Sequence, residues 1–322
     1  MNSSTTNSVS PIQVGISACL LGHKVRFNGG HKRSSFCLNQ LSRIFNYVPI
    51  CPEVGIGMGV PREPIRLVGN PEQPRAIGSV NPDLDVTEAL QEYGAKQAKQ
   101  LQHLSGYILM QKSPSCGMER VKVYQSNGYP HRNSGTGLYA QQIMKHLPLM
   151  PVEEEGRLHD PILRENFINR VIAYHSWQQL MQELTPSALI QFHTRYKYSV
   201  LAHSPKDYSH LGQLVANIDS SNVAETANTY QHIFMKALQQ RATRKTHSNV
   251  LMHILGFLKH ALLQAERGEI LYIIHQYRQG FLPLIVPITL LKHFIKQHGN
   301  TFIQQQMYLS PYPDELGLRN AI

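Results

Sequence analysis

Cysteine is scarce in this chain: four in 322 residues, with no C-x-x-C pair among them. Neither a disulfide framework nor a generic zinc-finger spacing is therefore available to hold it together. Long apolar runs are missing too. The longest, residues 281–291, is interrupted by Pro283 and Pro287 and falls short of the roughly 20 residues a helix needs to cross a bilayer, which sets aside a membrane-spanning reading. The opening Met1-Asn-Ser-Ser-Thr-Thr-Asn-Ser-Val-Ser10 has neither the charge nor the apolar stretch of a leader. With so few cysteines, this gives the expectation of a soluble, cytoplasmic protein whose first residues fray. Acidic residues are outnumbered, 21 against 31 Lys and Arg, for a net charge of +10. That excess points to a polyanionic partner without identifying one.

What is present divides the chain, and 322 residues suffice for two domains with separate cores. Alternating apolar stretches in the first half predict an α/β domain with a mainly parallel sheet and flanking helices. The expected strands are 12–18, 47–50, 107–110 and 149–152, with an edge strand at 121–124. Helices are expected at 34–45, at 137–146, and from an Asp85/Glu88 capping box to about residue 104. Residues 55–82, with five prolines and five glycines, read as a long irregular loop forming the wall of a site. From Asp160 onward the pattern becomes that of an all-α helical domain, Pro161 suiting a first helical position. Its helices are expected at 161–184, 186–201, 206–219, 222–242, 248–267, 269–279 and 288–298. The domains are placed at 11–170 and 185–310.

Three cysteines come after strand-like stretches: Cys19 after 13–18, Cys51 after 47–50 and Cys116 after 106–115. In a parallel sheet the carboxyl ends face one way, so such cysteines converge in the crevice that open α/β sheets use for ligands. Three thiolates suit an iron-sulfur cluster or zinc; for zinc, His23 is a candidate fourth ligand, and the domain would be structural or hydrolytic. Each cysteine alone is equally well a small buried hydrophobe. Glu53, two residues past Cys51, is the candidate general base beside the metal, or else a helix-start carboxylate. Cys37 falls on the apolar side of a predicted helix and reads as core.

The sequences around the cysteines are Ser17-Ala-Cys-Leu-Leu-Gly22, Cys51-Pro-Glu53 and Lys112-Ser-Pro-Ser-Cys-Gly117. With Arg26-Phe-Asn-Gly29, Gly57-Met-Gly-Val-Pro-Arg-Glu-Pro64 and Leu147-Pro-Leu-Met-Pro-Val-Glu-Glu-Glu-Gly-Arg157, they resemble the thiouracil desulfidase family over residues 11–170. Further on, Phe192-His-Thr-Arg-Tyr-Lys-Tyr198, Ala202-His-Ser-Pro205 and Leu211-Gly212 resemble the helical domain of longer members. That two-domain form looks like the bacterial enzymes that remove sulfur from 4-thiouridine in tRNA. The resemblance implies a 4Fe-4S cluster held by Cys19, Cys51 and Cys116 with one iron open, and a non-redox conversion of C=S to C=O that releases sulfide. It also implies Ser113 as an active-site serine bonded to the base or to the attacking water. Arg26, Asn28 and Lys112 are the candidates for contacting substrate.

The expected partner is accordingly tRNA containing 4-thiouridine. Residues 185–322 hold 13 Lys and Arg against 7 Asp and Glu. Arg195, Lys197, His203 and Lys206 form one basic group, interleaved with Tyr196 and Tyr198; Arg241, Arg244, Lys245 and His247 form another. Cations for phosphate and rings for unstacked bases are what RNA recognition uses, although a solvated helix face over buried tyrosines gives the same pattern. Two rival functions stand beside this one: the same chemistry on free thiouracil or a thionucleoside, and a non-catalytic RNA-binding protein with a structural metal. The carboxylate beside Cys51 argues against the last.

Overall fold

The computed structural model describes residues 12–313 and 316–321; Met1–Ser10, expected to fray, lies outside them. The chain divides into two compact units, one ending at His159 and one beginning at Asp160.

The first unit runs β1 (Ile12–Ser17), α1 (Ser35–Asn39), β2 (Phe45–Ile50), α2 (Pro52–Gly55), β3 (Ile65–Asn70), β4 (Gln73–Gly78), α3 (Thr87–Gln100), β5 (Gly106–Leu109), β6 (Val123–Tyr124), α4 (Leu138–His146) and β7 (Val152–Glu154). Its main sheet has the order β2-β1-β5-β7, with every pairing parallel. The two central strands are covered on both faces: Tyr107, Ile108 and Leu109 of β5 are fully buried, and β1 buries Val14 and Ile16 on one face and Gly15 and Ser17 on the other. This is what a sheet covered on both sides requires. Gly15 is needed at the β1–β5 contact, because a Cβ there would stand 2.6 Å from the Tyr107 ring.

Three local expectations are corrected. The helix expected at 34–45 is α1 followed by a 3-10 turn, Leu41–Arg43, after which Phe45 already belongs to β2. The irregular loop expected at 55–82 contains the β3–β4 hairpin, in register from Ile65↔Gly78 to Asn70↔Gln73. With β6 parallel to β3 this makes a second sheet, ordered β4-β3-β6. Ile65, Leu67, Ala76 and Val123 pack from it onto Leu90 and Leu138. Pro74 is tolerated because β4 is an edge strand. Finally, Asp85 does not form a capping box: its carboxylate accepts the Thr87 N–H at 3.0 Å and pairs with Arg75 at 2.6 Å, and Val86 is the helix N-cap.

The second unit is helical: α5 (Pro161–Gln182), α6 (Pro186–His203), α7 (Pro205–Ala216), α8 (Val223–Gln239), α9 (Arg244–Phe257), α10 (Gln264–Gln279), α11 (Ile285–His298) and the short α12 (Thr301–Gln304). The starts of α5, α6 and α7 share one device. Asp160, Thr185 and Ser204 accept N–H groups of the first turn, and proline comes next at the first helical position, where its missing N–H costs nothing. The helix expected at 248–267 is two, because α9 ends at Phe257. Among the described residues no helix is long and apolar enough to cross a membrane.

Candidate active site

The carboxyl ends of β1, β2 and β5 border a cavity of ≈ 390 Å³ lined by Cys19, Cys51, Cys116, Glu53, Arg62 and Lys112, among others. The segment leaving each strand places its cysteine. Cys19 lies on a 3-10 turn, Ala18–Leu21, directly after β1, and Cys51 is the N-cap of α2 directly after β2. Cys116 sits in the loop after β5, and that loop is docked on the start of α4. Gly137 N, Leu138 N and Ala140 N donate to the carbonyls of Gly117, Pro114 and Ser115 at 2.8–3.1 Å, so first-turn N–H groups that lack a partner within the helix hold the loop. Gly137 has no alternative here, since a Cβ would meet Ser115 backbone at 2.6 Å.

Consecutive glutamates around the end of β7 tether the same loops from another side. Glu154 Oε1 accepts the Met118 N–H at 2.9 Å, two residues past Cys116. Glu155 accepts the Ser34 hydroxyl at 2.6 Å, while Ser34 N–H bonds Leu20 O at 2.8 Å beside Cys19. Glu153 pairs with Arg157 at 2.6 Å. Burial raises the Glu154 carboxyl above its ordinary value, and the two backbone N–H bonds oppose the rise.

Glu53 is held from two sides. Its Oε2 accepts the Arg62 Nε and Nη2 hydrogens at 2.9 and 2.5 Å, and its Oε1 accepts the Ser115 hydroxyl at 2.5 Å. The Arg62 side chain is only 4% exposed and that of Glu53 15%. Arg62 also donates to Val25 O and Gly59 O at 2.9 Å, so the planar guanidinium ties the loop after Cys19 to the loop after Cys51. Ser113 stands one bond further back: its hydroxyl lies 3.0 Å from that of Ser115 and accepts the Cys116 N–H at 3.1 Å. The serine that touches the candidate base is therefore Ser115, and Ser113 orders it. Sequence reasoning missed Ser115 and Arg62, although both lie inside the family-like motifs. The available signal was an arginine between two prolines, in a segment rich in turns.

Burial pushes the Cys19 thiol up to about 11, and nearby Cys51 adds to the effect. Cys51 and Cys116 are raised by burial as well, and Cys37, in the core of α1, to about 11. Among the described residues no three His, Cys, Asp or Glu side chains stand close enough to hold a single metal ion; in particular His23 is exposed and does not line the cavity. Three soft sulfurs spread around one cavity suit a polynuclear cluster better than one zinc ion. In metal-free protein, alkylation of Cys19 should be half-maximal near pH 11, against the ordinary 9.0. Because the folded chain holds this proton more tightly, the associated stability is complete below pH 9.0 and is lost as the pH climbs to about 11. Melting temperature against pH, together with mass-spectrometric labelling, checks both; fast labelling at neutral pH would contradict the burial.

The other candidates fare unequally. Arg26 and Lys112 line the cavity, Arg26 lying 5.5 Å from the Phe27 ring centroid and Lys112 holding left-handed backbone, φ 59°. Asn28 does not line it; its side chain accepts the Gly30 N–H at 3.1 Å and serves its own turn. In the helical unit, Tyr196 and Tyr198 are buried and unavailable for stacking on bases. Half-buried Lys197 lies over the Phe302 ring at 4.3 Å, its ammonium pKa lowered by burial. His247 is buried beside the Tyr308 hydroxyl at 2.9 Å, with burial holding its pKa well below normal, and His203 is likewise lowered. Arg195, Lys206, Arg241, Arg244 and Lys245 are exposed.

Comparison with known proteins gives two family matches. Residues 14–155 match the profile of 2-thiouracil desulfurase, and residues 197–313 match that of a protein family of unknown function, DUF1722. The chain is 32% identical over 154 residues to the uncharacterized protein YbgA of Escherichia coli (strain K12), covering 47% of this chain and 91% of that one. It is 35% identical over 109 residues to the uncharacterized protein YbbK of Bacillus subtilis (strain 168), covering 32% and 71%. A solved structure, described as the 4Fe-4S-dependent thiouracil desulfidase TudS, aligns with TM-score 0.37 at 25% identity, over 46% of this chain and 94% of that one.

Proposed function

We propose that this chain, which over residues 14–155 belongs to the 2-thiouracil desulfurase family, hydrolyses the thiocarbonyl of a thiolated pyrimidine, with a 4Fe-4S cluster held by Cys19, Cys51 and Cys116. The observation that carries the reading is the meeting of three thiols from three strand ends on one cavity that also contains a carboxylate held from two sides. When bound, such a cluster supplies a soft Lewis-acidic iron that attracts sulfur and draws electrons from the ring carbon. The rest falls to the chain. Arg62 occupies Oε2 of Glu53 twice, while Oε1 is engaged by Ser115 alone among the described residues, which leaves Oε1 a lone pair for water. Glu53 takes a proton from that water as it attacks the ring carbon and returns it to the departing sulfur. C=S becomes C=O, water is consumed and sulfide leaves, with no net electron transfer. Arg26 and Lys112, on the cavity lining, favour the negative charge that develops.

The first substrate we assign is a free thiouracil-type base. The family's description names thiouracil, and ≈ 390 Å³ lies toward the small end of the roughly 300–1,000 Å³ of small-molecule sites. One observation favours 4-thiouridine in tRNA as a second reading: the basic balance beyond residue 185, with Lys206, Arg241, Arg244 and Lys245 exposed. A base in folded tRNA must be extruded, at a cost of about a few kcal/mol, which a gripping domain offsets. Sulfide release from free 2- and 4-thiouracil and from thiolated tRNA, using anaerobically reconstituted protein, tests both. Turnover of the free bases is expected. Activity confined to tRNA would replace the first substrate by the second, and none on either with full iron would remove the desulfidase assignment.

A further inference from the structure

Ser17 is the last residue of β1 and lines the cavity, yet the chemistry above gives it no role. It pairs with Ile50 of β2, the residue before Cys51, and is only 2% exposed. A polar side chain buried at the end of a central strand must have its hydrogen bonds made. One is plain: Ser17 Oγ accepts the Met110 N–H at 2.9 Å, just past the end of β5. A hydroxyl that accepts still has its own proton to place, and the acceptor is the buried Cys116 sulfur. The other serine beside this sulfur is already committed. Ser115 Oγ stands 3.9 Å from Cys116 Sγ, but its proton goes to Glu53 Oε1 at 2.5 Å. The hydrogen bonds that ease the burial of Cys19 and Cys51 come from backbone N–H groups, whereas that of Cys116 comes from a side chain.

We infer that Ser17 tunes the metal centre through Cys116: anchored by the Met110 N–H, its hydroxyl donates to the Cys116 sulfur and so draws charge from the iron that this sulfur holds. This role rests on the cluster reading above. Accepting the Met110 N–H polarises the Ser17 hydroxyl and strengthens the bond it donates, and burial strengthens it further. A thiolate that shares its charge with a proton gives less of it to iron, and hydrogen bonds to the ligand sulfurs help to set a cluster's potential. An electron-poorer centre is the better Lewis acid toward a thiocarbonyl sulfur. Ser17 thus acts through a ligand and not on the substrate. It opens the segment Ser17-Ala-Cys19, which sequence reasoning read only for its cysteine.

The experiment compares the full chain, reconstituted anaerobically, as wild type, Ser17→Ala and Ser17→Thr. Threonine keeps the hydroxyl; alanine removes it and leaves the Met110 N–H without its acceptor. EPR-monitored titration gives the midpoint potential, and resonance Raman spectra after reconstitution in ordinary and in heavy water give the response of the Fe–S(Cys) bands to exchange of the hydroxyl proton. Iron-replete Ser17→Ala should show a lower potential, a smaller deuterium shift and a lower kcat with KM unchanged, while Ser17→Thr stays near wild type in all of these. Wild-type potential and deuterium shift in iron-replete Ser17→Ala would overturn the role of Ser17 and leave the cluster reading in place. So would a raised KM at unchanged potential, which would make Ser17 a substrate contact. Failure of the wild type to assemble a cluster would overturn both. If the alanine variant does not load, the other two proteins decide: a deuterium shift shared by wild type and Ser17→Thr upholds the role, and its absence from the wild type overturns it.

Discussion

Glu53→Gln should keep its iron and its fold and lose turnover by about 10²–10⁴-fold, the range typical of general acid-base catalysis. The carboxamide has nearly the shape of the carboxylate. It retains one acceptor oxygen where Glu53 presents two, and places an amide NH₂ near either the Arg62 guanidinium or the Ser115 hydroxyl, so it cannot take a proton from water. Arg62→Lys is the companion variant: a point ammonium cannot reproduce the paired bonds from Nε and Nη2. Its effect should fall on kcat more than on KM, because the carboxylate is still present but poorly oriented. Iron analysis and steady-state kinetics check both variants. Wild-type turnover by an iron-replete Glu53→Gln protein would remove Glu53 from the mechanism, and loss of iron in that variant would give it a structural role.

The second large effect is expected at the cysteines. Cys19→Ala, Cys51→Ala and Cys116→Ala should each abolish cluster loading and activity, whereas Cys37→Ala should retain both. Cys37 lies in the core of α1, away from the cavity lining; its amide donates to the Ser34 hydroxyl and its carbonyl accepts from Tyr47. Removing its sulfur therefore costs packing only. Bound iron and sulfide per chain, measured after anaerobic reconstitution, decide the matter. Full loading of any of the first three variants, or an empty Cys37→Ala protein, would contradict the ligand set.

The sequence was legible where local pattern and tertiary demand agree. The central strands read correctly because a strand buried on both faces is nearly continuously apolar, as β5 is throughout and β1 is from Val14 to Ile16. The proline-led helices α5, α6 and α7 read within a few residues because capping chemistry is local. The β3–β4 hairpin did not, because its prolines and glycines suggest a loop. Only the pairing of Ile65 with Gly78 and the burial of Leu67 and Ala76 reveal a sheet. The interleaved tyrosines failed for a related reason: spacing places Tyr196 and Tyr198 on α6 without saying which face meets the core, and both are buried. At the site, three cysteines and one glutamate were visible in the sequence. What holds the glutamate was not, since Arg62 and Ser115 reach Glu53 from 9 and 62 residues away. Such contacts belong to the fold rather than to any motif.

The most direct test of the central claim is mass spectrometry of the product formed from thiouracil in oxygen-18-labelled water, by anaerobically reconstituted protein with no reductant added. Hydrolysis at the former thiocarbonyl carbon predicts uracil carrying one labelled oxygen, with one sulfide released for each thiouracil consumed. Unlabelled product, or no product until an electron donor is supplied, would contradict it.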